Sequence, residues 1–174
     1  TAEISIKAAL TGHMVFSTLH TNDAPSTISR LVHMGLEPFL ITAAVNLIQA
    51  QRLVRIICPQ CKEADTRVTP EDLIAAELSP AEVKNAKPMR GKGCDACAGT
   101  GFKGRGGIFE VMPVSEKIRN LVIKGASSDE IKKVAIKEGM LTLRQSALLK
   151  LLRGETTLEE VQNNSRPDGE ITHD

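Results

Sequence analysis

The sequence predicts an α/β chain in which a tetracysteine zinc module is inserted between two strands and the last third forms a helical subdomain. Three observations carry that prediction. Two Cys-x-x-Cys turns, Cys58-Pro59-Gln60-Cys61 and Cys94-Asp95-Ala96-Cys97, are separated by residues 62–93. Short apolar runs at 14–19, 53–57 and 108–112 have the length and composition of strands. From Ser115 onward, capping residues, apolar residues at helical spacing and stopping glycines alternate as they do in a series of short helices.

The chain opens as a helix in progress, Ala2 to Leu10, stopped by Gly12. With Thr1 in place of a methionine, this is the beginning expected of a piece of a longer protein. Met14-Val15-Phe16-Ser17-Thr18-Leu19 is a mostly apolar run of the kind buried on both faces of a parallel sheet, and it ends in His20-Thr21-Asn22-Asp23. Ligands of open α/β sheets bind beyond the carboxyl ends of strands, which places this cluster for phosphate or metal-nucleotide contact. The alternative is that Asn22 and Asp23 merely cap the next helix, whose first turn holds Pro25. That helix is expected over 26–34, ending at Gly35. Another is expected from Pro38 toward Gln51, with Phe39, Leu40, Ala43, Ala44, Leu47 and Ile48 as one buried stripe. Leu53 to Ile57 then reads as a strand running straight into Cys58.

A Cys-x-x-Cys turn brings two thiolates to one ion, and a second pair completes a closed tetrahedral site. Cys58, Cys61, Cys94 and Cys97 are all the cysteines the chain has, so they are the candidate ligands of a structural Zn²⁺. With every coordination place filled, such a site folds and positions, and leaves no room for a catalytic water. Disulfides or a redox dithiol are the alternative, but neither a signal-peptide pattern nor a thioredoxin-like context accompanies either pair. Inside the excursion, Thr69-Pro70-Glu71-Asp72 and Ser79-Pro80-Ala81-Glu82 each open a short helix. The glycines of 99–107 supply tight turns, and 108–112 is strand-like. If that strand returns beside 53–57, the module is a loop pinched off one sheet, with the metal at its neck.

The resulting division is 1–57 for a core portion, 58–97 for the zinc module, 98–112 for the returning turns and strand, and 113–165 for helices. The helical part should share a core of Ile118, Leu121, Val122, Ile131, Val134, Ala135, Leu143, Ala147, Leu148 and Leu151. The tail, 166–174, is polar and expected to be unstructured.

Composition narrows the function. In 174 residues, 41% are hydrophobic, enough for one domain with an attached module. The net charge of +1 gives no global attraction to nucleic acid or anionic membranes, and aromatics at 2%, without Trp or Tyr, remove the usual base-stacking platforms. The most apolar long stretch, 39–57, is interrupted by Asn46, Gln49, Gln51, Arg52 and Arg55, which excludes a membrane span there. Cysteine usage without disulfides points to the cytosol.

Ala9-Leu10-Thr11-Gly12-His13-Met14-Val15-Phe16-Ser17-Thr18-Leu19-His20-Thr21-Asn22-Asp23-Ala24-Pro25 closely resembles the His box of the secretion ATPase superfamily, the hexameric motors of type II secretion and type IV pili. Glu37-Pro38-Phe39-Leu40, Asn46-Leu47 and Ala50-Gln51-Arg52-Leu53-Val54-Arg55 resemble the segment leading out of the ATPase core. The four cysteines resemble the zinc element of the assembly branch. Gly104-Arg105-Gly106-Gly107-Ile108-Phe109-Glu110-Val111, Leu141-Thr142-Leu143-Arg144 and Thr156-Thr157-Leu158-Glu159-Glu160-Val161 are similar to that branch too.

The resemblance implies the C-terminal portion of a RecA-like P-loop ATPase core, using ATP and Mg²⁺ in the full-length protein. It also implies a homo-hexamer acting with an inner-membrane platform protein, in the cytoplasm at the inner face of the bacterial inner membrane. Its two His-box histidines fall on His13 and His20, where they would couple the terminal phosphate to subdomain movement. The expected strand end favours His20 for phosphate contact and leaves His13 between positioning and packing. His33 reads as structural, and His173 lies in the tail. The Gly-x-x-x-x-Gly-Lys-Ser/Thr loop, the acidic boxes and the arginines of the family are absent here and expected upstream, so no cofactor-binding residue is assigned and this piece alone is expected to be inactive. Two other readings compete. Cys94-Asp95-Ala96-Cys97-Ala98-Gly99-Thr100-Gly101 also resembles one repeat of the zinc region of heat-shock co-chaperones, although Cys61 lacks the matching glycines. A zinc-ribbon nucleic-acid binder is disfavoured by charge and aromatic content.

Overall fold

The computed structural model describes residues 1–169. In chain order the elements are α1 (Ala2–Leu10), α2 (Ala24–His33), α3 (Pro38–Ala44), β1 (Leu47–Ile57), β2 (Lys62–Ala64), α4 (Pro70–Ala75), α5 (Pro80–Asn85), β3 (Met89–Gly91), a 3₁₀ turn (Asp95–Cys97), β4 (Phe102–Pro113), α6 (Glu116–Ile123), α7 (Ser128–Lys137), α8 (Leu143–Leu152) and α9 (Leu158–Asn164). The chain is mixed α/β, and it divides into two compact units: Thr1–Ala50 with Glu110–Leu141, and Gln51–Phe109 with Thr142 onward.

β1 and β4 pair in one two-stranded sheet. Its ends are bracketed by Val114 N–H donating to Asn46 O at 2.9 Å and by Cys58 N–H donating to Gly101 O at 2.9 Å, so the strands run in opposite directions. The strands expected at 53–57 and 108–112 therefore lie in one sheet, each as part of a longer strand, and everything from Cys58 to Gly101 is an excursion from that pair. Within the excursion, β2 and β3 form a small antiparallel ribbon with Glu63 opposite Arg90. The two proline-started helices appear where the capping patterns place them, each closed by a capping box, Thr69 with Asp72 and Ser79 with Glu82.

In the first unit, Ala24, Ile28, Ile48, Met112, Val114, Ile118, Val122, Ile131, Ala135 and Met140 form one buried cluster. A smaller cluster of Ile6, Leu31, Leu36 and Ile41 joins α1, α2 and α3. In the second unit, Val54, Ile57, Ile108, Leu143, Ala147, Leu148, Leu151, Leu158 and Val161 are buried.

Four expectations are corrected. The run Met14–Leu19 is not a strand: residues 13–20 have no regular structure and 11–20 are all exposed, Met14 at 84% and Phe16 at 89%. A strand buried on both faces needs a ladder partner on each side; among the described residues β1 and β4 pair with each other, and no strand pairs with 14–19. The helix expected from Pro38 toward Gln51 ends at Ala44, and Leu47 onward is β1. Its buried residues are Ile41 and Thr42, while Phe39 is 60% exposed. The local helical spacing of Leu47 and Ile48 is overridden by a partner strand far downstream, which a short window does not contain.

The helical third does not share one core. Ile118, Val122, Ile131 and Ala135 belong to the first unit, with Leu121 and Val134 partly buried against them, and Leu143, Ala147, Leu148 and Leu151 belong to the second. The start of the tail is tied down rather than loose: Asp168 and Gly169 N–H donate to Glu77 at 3.1 and 3.0 Å, and the Thr142 hydroxyl donates to Asp168. Residues 170–174, including His173, lie outside the described residues.

Candidate metal centre and histidine segment

The excursion leaves β1 at Ile57 and rejoins the sheet at Phe102, so its two Cys-x-x-Cys turns stand at one neck. The first turn is closed by Cys61 N–H donating to Cys58 O at 3.3 Å. The second is closed by Cys97 N–H and Gly99 N–H donating to Cys94 O at 3.1 and 2.9 Å. Ala98 completes it in the left-handed region at φ 49°. The backbones meet closely here. A Cβ on Gly91 would lie 2.0 Å from Gly101 O, and one on Gly101 would lie 2.5 Å from Gly91 O, so both positions exclude any side chain.

All four Sγ atoms lie within 4.8 Å of one another. Cys58 and Cys94 are 3.9 Å apart, Cys61 and Cys97 3.9 Å, and Cys94 and Cys97 3.7 Å. A Zn–S bond of about 2.3 Å in tetrahedral geometry gives sulfur–sulfur edges of about 3.8 Å, whereas a disulfide needs about 2.05 Å. The thiols are free, and their spacing fits one tetrahedral ion. Backbone amides complete the shell: Gly93 N–H donates to Cys61 Sγ at 3.3 Å, and Cys94 and Gly101 N–H donate to Cys97 Sγ at 3.2 Å each. These last two donors lower the Cys97 thiol to about 6, the Cys94 amide contributing most, whereas burial pushes Cys61 up to about 11. Four free thiols at this spacing, with backbone donors aimed at the sulfurs of Cys61 and Cys97, are a candidate ligand set for one metal ion.

His13 and His20 bound the exposed segment of the first unit. His13 Nδ1 lies 3.0 Å from the Thr11 hydroxyl, which itself donates to Ala8 O at 2.8 Å. His20 is exposed, but the turn that follows it is firmly held. Asp23 Oδ1 accepts from Ser26 N–H at 2.8 Å, the Ser26 and Thr27 hydroxyls donate to Asp23 O at 3.1 and 3.3 Å, and the Thr21 and Thr27 hydroxyls meet at 2.9 Å. Asp23 is thus the cap of α2. His33 ends α2 with its side chain exposed, so it is not a core histidine.

One residue that motif reading passes over is Glu110. It is 1% exposed, and its Oε1 accepts from Ala24 N–H at 2.7 Å. Strand alternation places it on the face of Ile108 and Met112, so a buried carboxylate was visible in the pattern, but its partner at α2 was not. In the second unit, an open cleft of about 400 Å³ is lined by Asp65, Arg67, Asp72, Arg90, Phe102 and Glu159 among others. Its arginines are already paired, Arg67 with Asp65 at 2.8 Å and Arg90 with Glu63 at 2.6 Å, so it does not make an anion site. No helix among the described residues is long and apolar enough to cross a membrane.

A two-stranded sheet whose intervening loop gathers four cysteines at its neck, with a histidine-flanked segment preceding a capped helix, defines an α/β chain with a candidate metal site in an insertion. The chain belongs to the type II/IV secretion system protein family, which matches residues 1–163. It is 52% identical over 168 residues to the type IV pilus assembly ATPase PilB of Myxococcus xanthus, covering 97% of this chain and 30% of that protein. Against PilB of Thermus thermophilus it is 50% identical over 161 residues, covering 92% of this chain and 18% of that protein. Against the type II secretion system protein E of Aeromonas hydrophila it is 38% identical over 170 residues, covering 97% and 33%. The chain therefore spans a third or less of the length of these relatives.

Proposed function

We propose that this chain is the C-terminal part of a cytoplasmic ATPase that powers type IV pilus assembly from the inner face of the bacterial inner membrane. The observation that carries the reading is 52% identity across nearly all of the chain to a pilus assembly ATPase. Type II secretion is the second reading, and the lower identities of its named relatives, 38 and 41%, make it the weaker one. In this proposal the full-length protein forms a homo-hexamer with a RecA-like core, uses ATP with Mg²⁺, and passes motion to an inner-membrane platform protein. The helices after β4 serve as its C-terminal subdomain.

Within that machine, His20 would face the terminal phosphate, where an imidazole donor stabilises developing charge. His13, hydrogen-bonded to Thr11, would position the segment. Cys58, Cys61, Cys94 and Cys97 would hold Zn²⁺, which when bound supplies a fixed tetrahedral crosslink. The residues around it align donors to sulfur and keep the neck of the excursion closed. The module then serves either as a docking surface for the platform protein or as a stabiliser of the fold.

The test compares phosphate release by the full-length protein, its His20→Ala variant and the isolated 174-residue chain. The full-length protein should turn over ATP, His20→Ala should lose about a hundredfold in kcat, and the isolated chain should match a blank, because it lacks the phosphate-cradling loop. Turnover by the isolated chain, or an unaffected His20→Ala variant, would contradict the reading.

A further inference from the structure

Helix α2 begins immediately after the His20–Asp23 turn, and its first amides have no partner within the helix. Asp23 satisfies that of Ser26. The amide of Ala24, itself completely buried, is met instead by the carboxylate of Glu110 at 2.7 Å, from a strand position 86 residues away. Glu110 is 1% exposed, and Ile108 and Met112, its neighbours on the same strand face, are completely buried. A carboxylate placed that deeply is held by its surroundings, and it favours the positive end of the helix.

From these contacts we infer that Glu110 is a positioning residue for His20; the inference rests on the reading of His20 as the phosphate-facing group. Among the described residues, 13–20 are exposed and pair with no strand. On its C-terminal side, only the turn of Thr21–Asp23 separates it from Ala24. The local bonds among Thr21, Asp23, Ser26 and Thr27 make that turn rigid relative to α2, but they move with the helix. The Glu110–Ala24 bond is different in kind, because it ties the helix start to β4. Glu110 therefore fixes where His20 is presented without touching nucleotide itself.

The experiment measures steady-state ATP turnover in the full-length protein for Glu110→Ala, Glu110→Gln, His20→Ala and the Glu110→Ala/His20→Ala double variant. Glu110→Ala should lower kcat by about tenfold to a hundredfold, since a misplaced reacting group loses that much, while KM for ATP stays within about twofold. Glu110→Gln keeps an oxygen acceptor and should restore kcat to within about threefold of the parent. The double variant should be no slower than His20→Ala, because the two residues act through one group. Should Glu110→Ala fail to assemble, Glu110→Asp, which withdraws the acceptor by one methylene, carries the same readings. A folded Glu110→Ala variant with the parent kcat, a Gln variant as slow as the Ala variant, or additive losses in the double variant would overturn the positioning role while leaving His20 as read. An unaffected His20→Ala variant would overturn both.

Discussion

At β1 the backbone N–H of Arg55 donates to Glu160 Oε2 at 2.7 Å, and the Arg55 guanidinium reaches Oε1 of the same carboxylate at 2.9 and 2.8 Å. That pairing is the main cause of the raised pKa of Arg55, whose guanidinium also lies 4.1 Å from the centroid of the Phe102 ring. The Thr156 hydroxyl donates to Arg55 O at 2.7 Å, and Ile57 N–H donates to Glu155 O at 2.9 Å, so residues 155–160 close the free edge of the strand. Glu160→Ala strips an edge amide and a half-exposed arginine of their acceptor together, and should cost about 2 kcal/mol by urea unfolding. Asp65 is the other informative residue. Its pKa is lowered chiefly by the Arg67 guanidinium. A lowered folded pKa contributes stability that is fully present above the unfolded value of about 3.9 and is lost as pH falls through the folded value. Asp65→Asn should therefore be less stable than the parent at pH 7, and the difference should shrink toward zero below the folded pKa, as read from denaturation midpoints across pH.

The capping patterns of the sequence placed α4 and α5 correctly, and α7 and α9 start on caps of the same kind, because a cap is satisfied within four residues, inside the reach of local reading. Ser127, for example, accepts from Glu130 N–H at 3.3 Å while the Glu130 carboxylate accepts from Ser127 N–H at 2.8 Å. Ser127→Ala should cost about 1 kcal/mol, measured by thermal unfolding. The ribbon of β2 and β3 and the close approach of Gly91 to Gly101 were beyond that reach, since each joins residues on opposite limbs of the excursion. There the glycines are fixed by backbone oxygen, which does not move aside as a flexible side chain would. Gly91→Ala should open the neck, reducing bound zinc per chain and lowering stability by about 2–4 kcal/mol. Metal analysis of the purified variant checks the first, and a melting curve the second.

Across the whole molecule, the cysteines and the histidine segment belong to different compact units. The four cysteines stand at the neck of the excursion in the second, whereas the buried cluster around Ile118, Val122 and Ile131 contains none of them. Chelation should thus raise hydrogen exchange at the amides that face sulfur, Gly93, Cys94 and Gly101, and leave the protection of α6 and α7 unchanged. Equal loss in both units would show that the metal supports the entire chain.

What the sequence by itself determined was chemistry and local geometry: four thiols of the right kind and spacing for one tetrahedral ion, the helix starts, and the family resemblance. Those signals lie in side-chain identity and in contacts a few residues long. Only the tertiary structure decided that Leu47 begins a strand, that among the described residues 14–19 pairs with no strand, that the C-terminal helices divide between two cores, and that Glu110 reaches the start of α2. Each of these depends on a partner far along the chain, and whether a strand pairs or a carboxylate is buried is set by that partner's arrival rather than by the residues next to it.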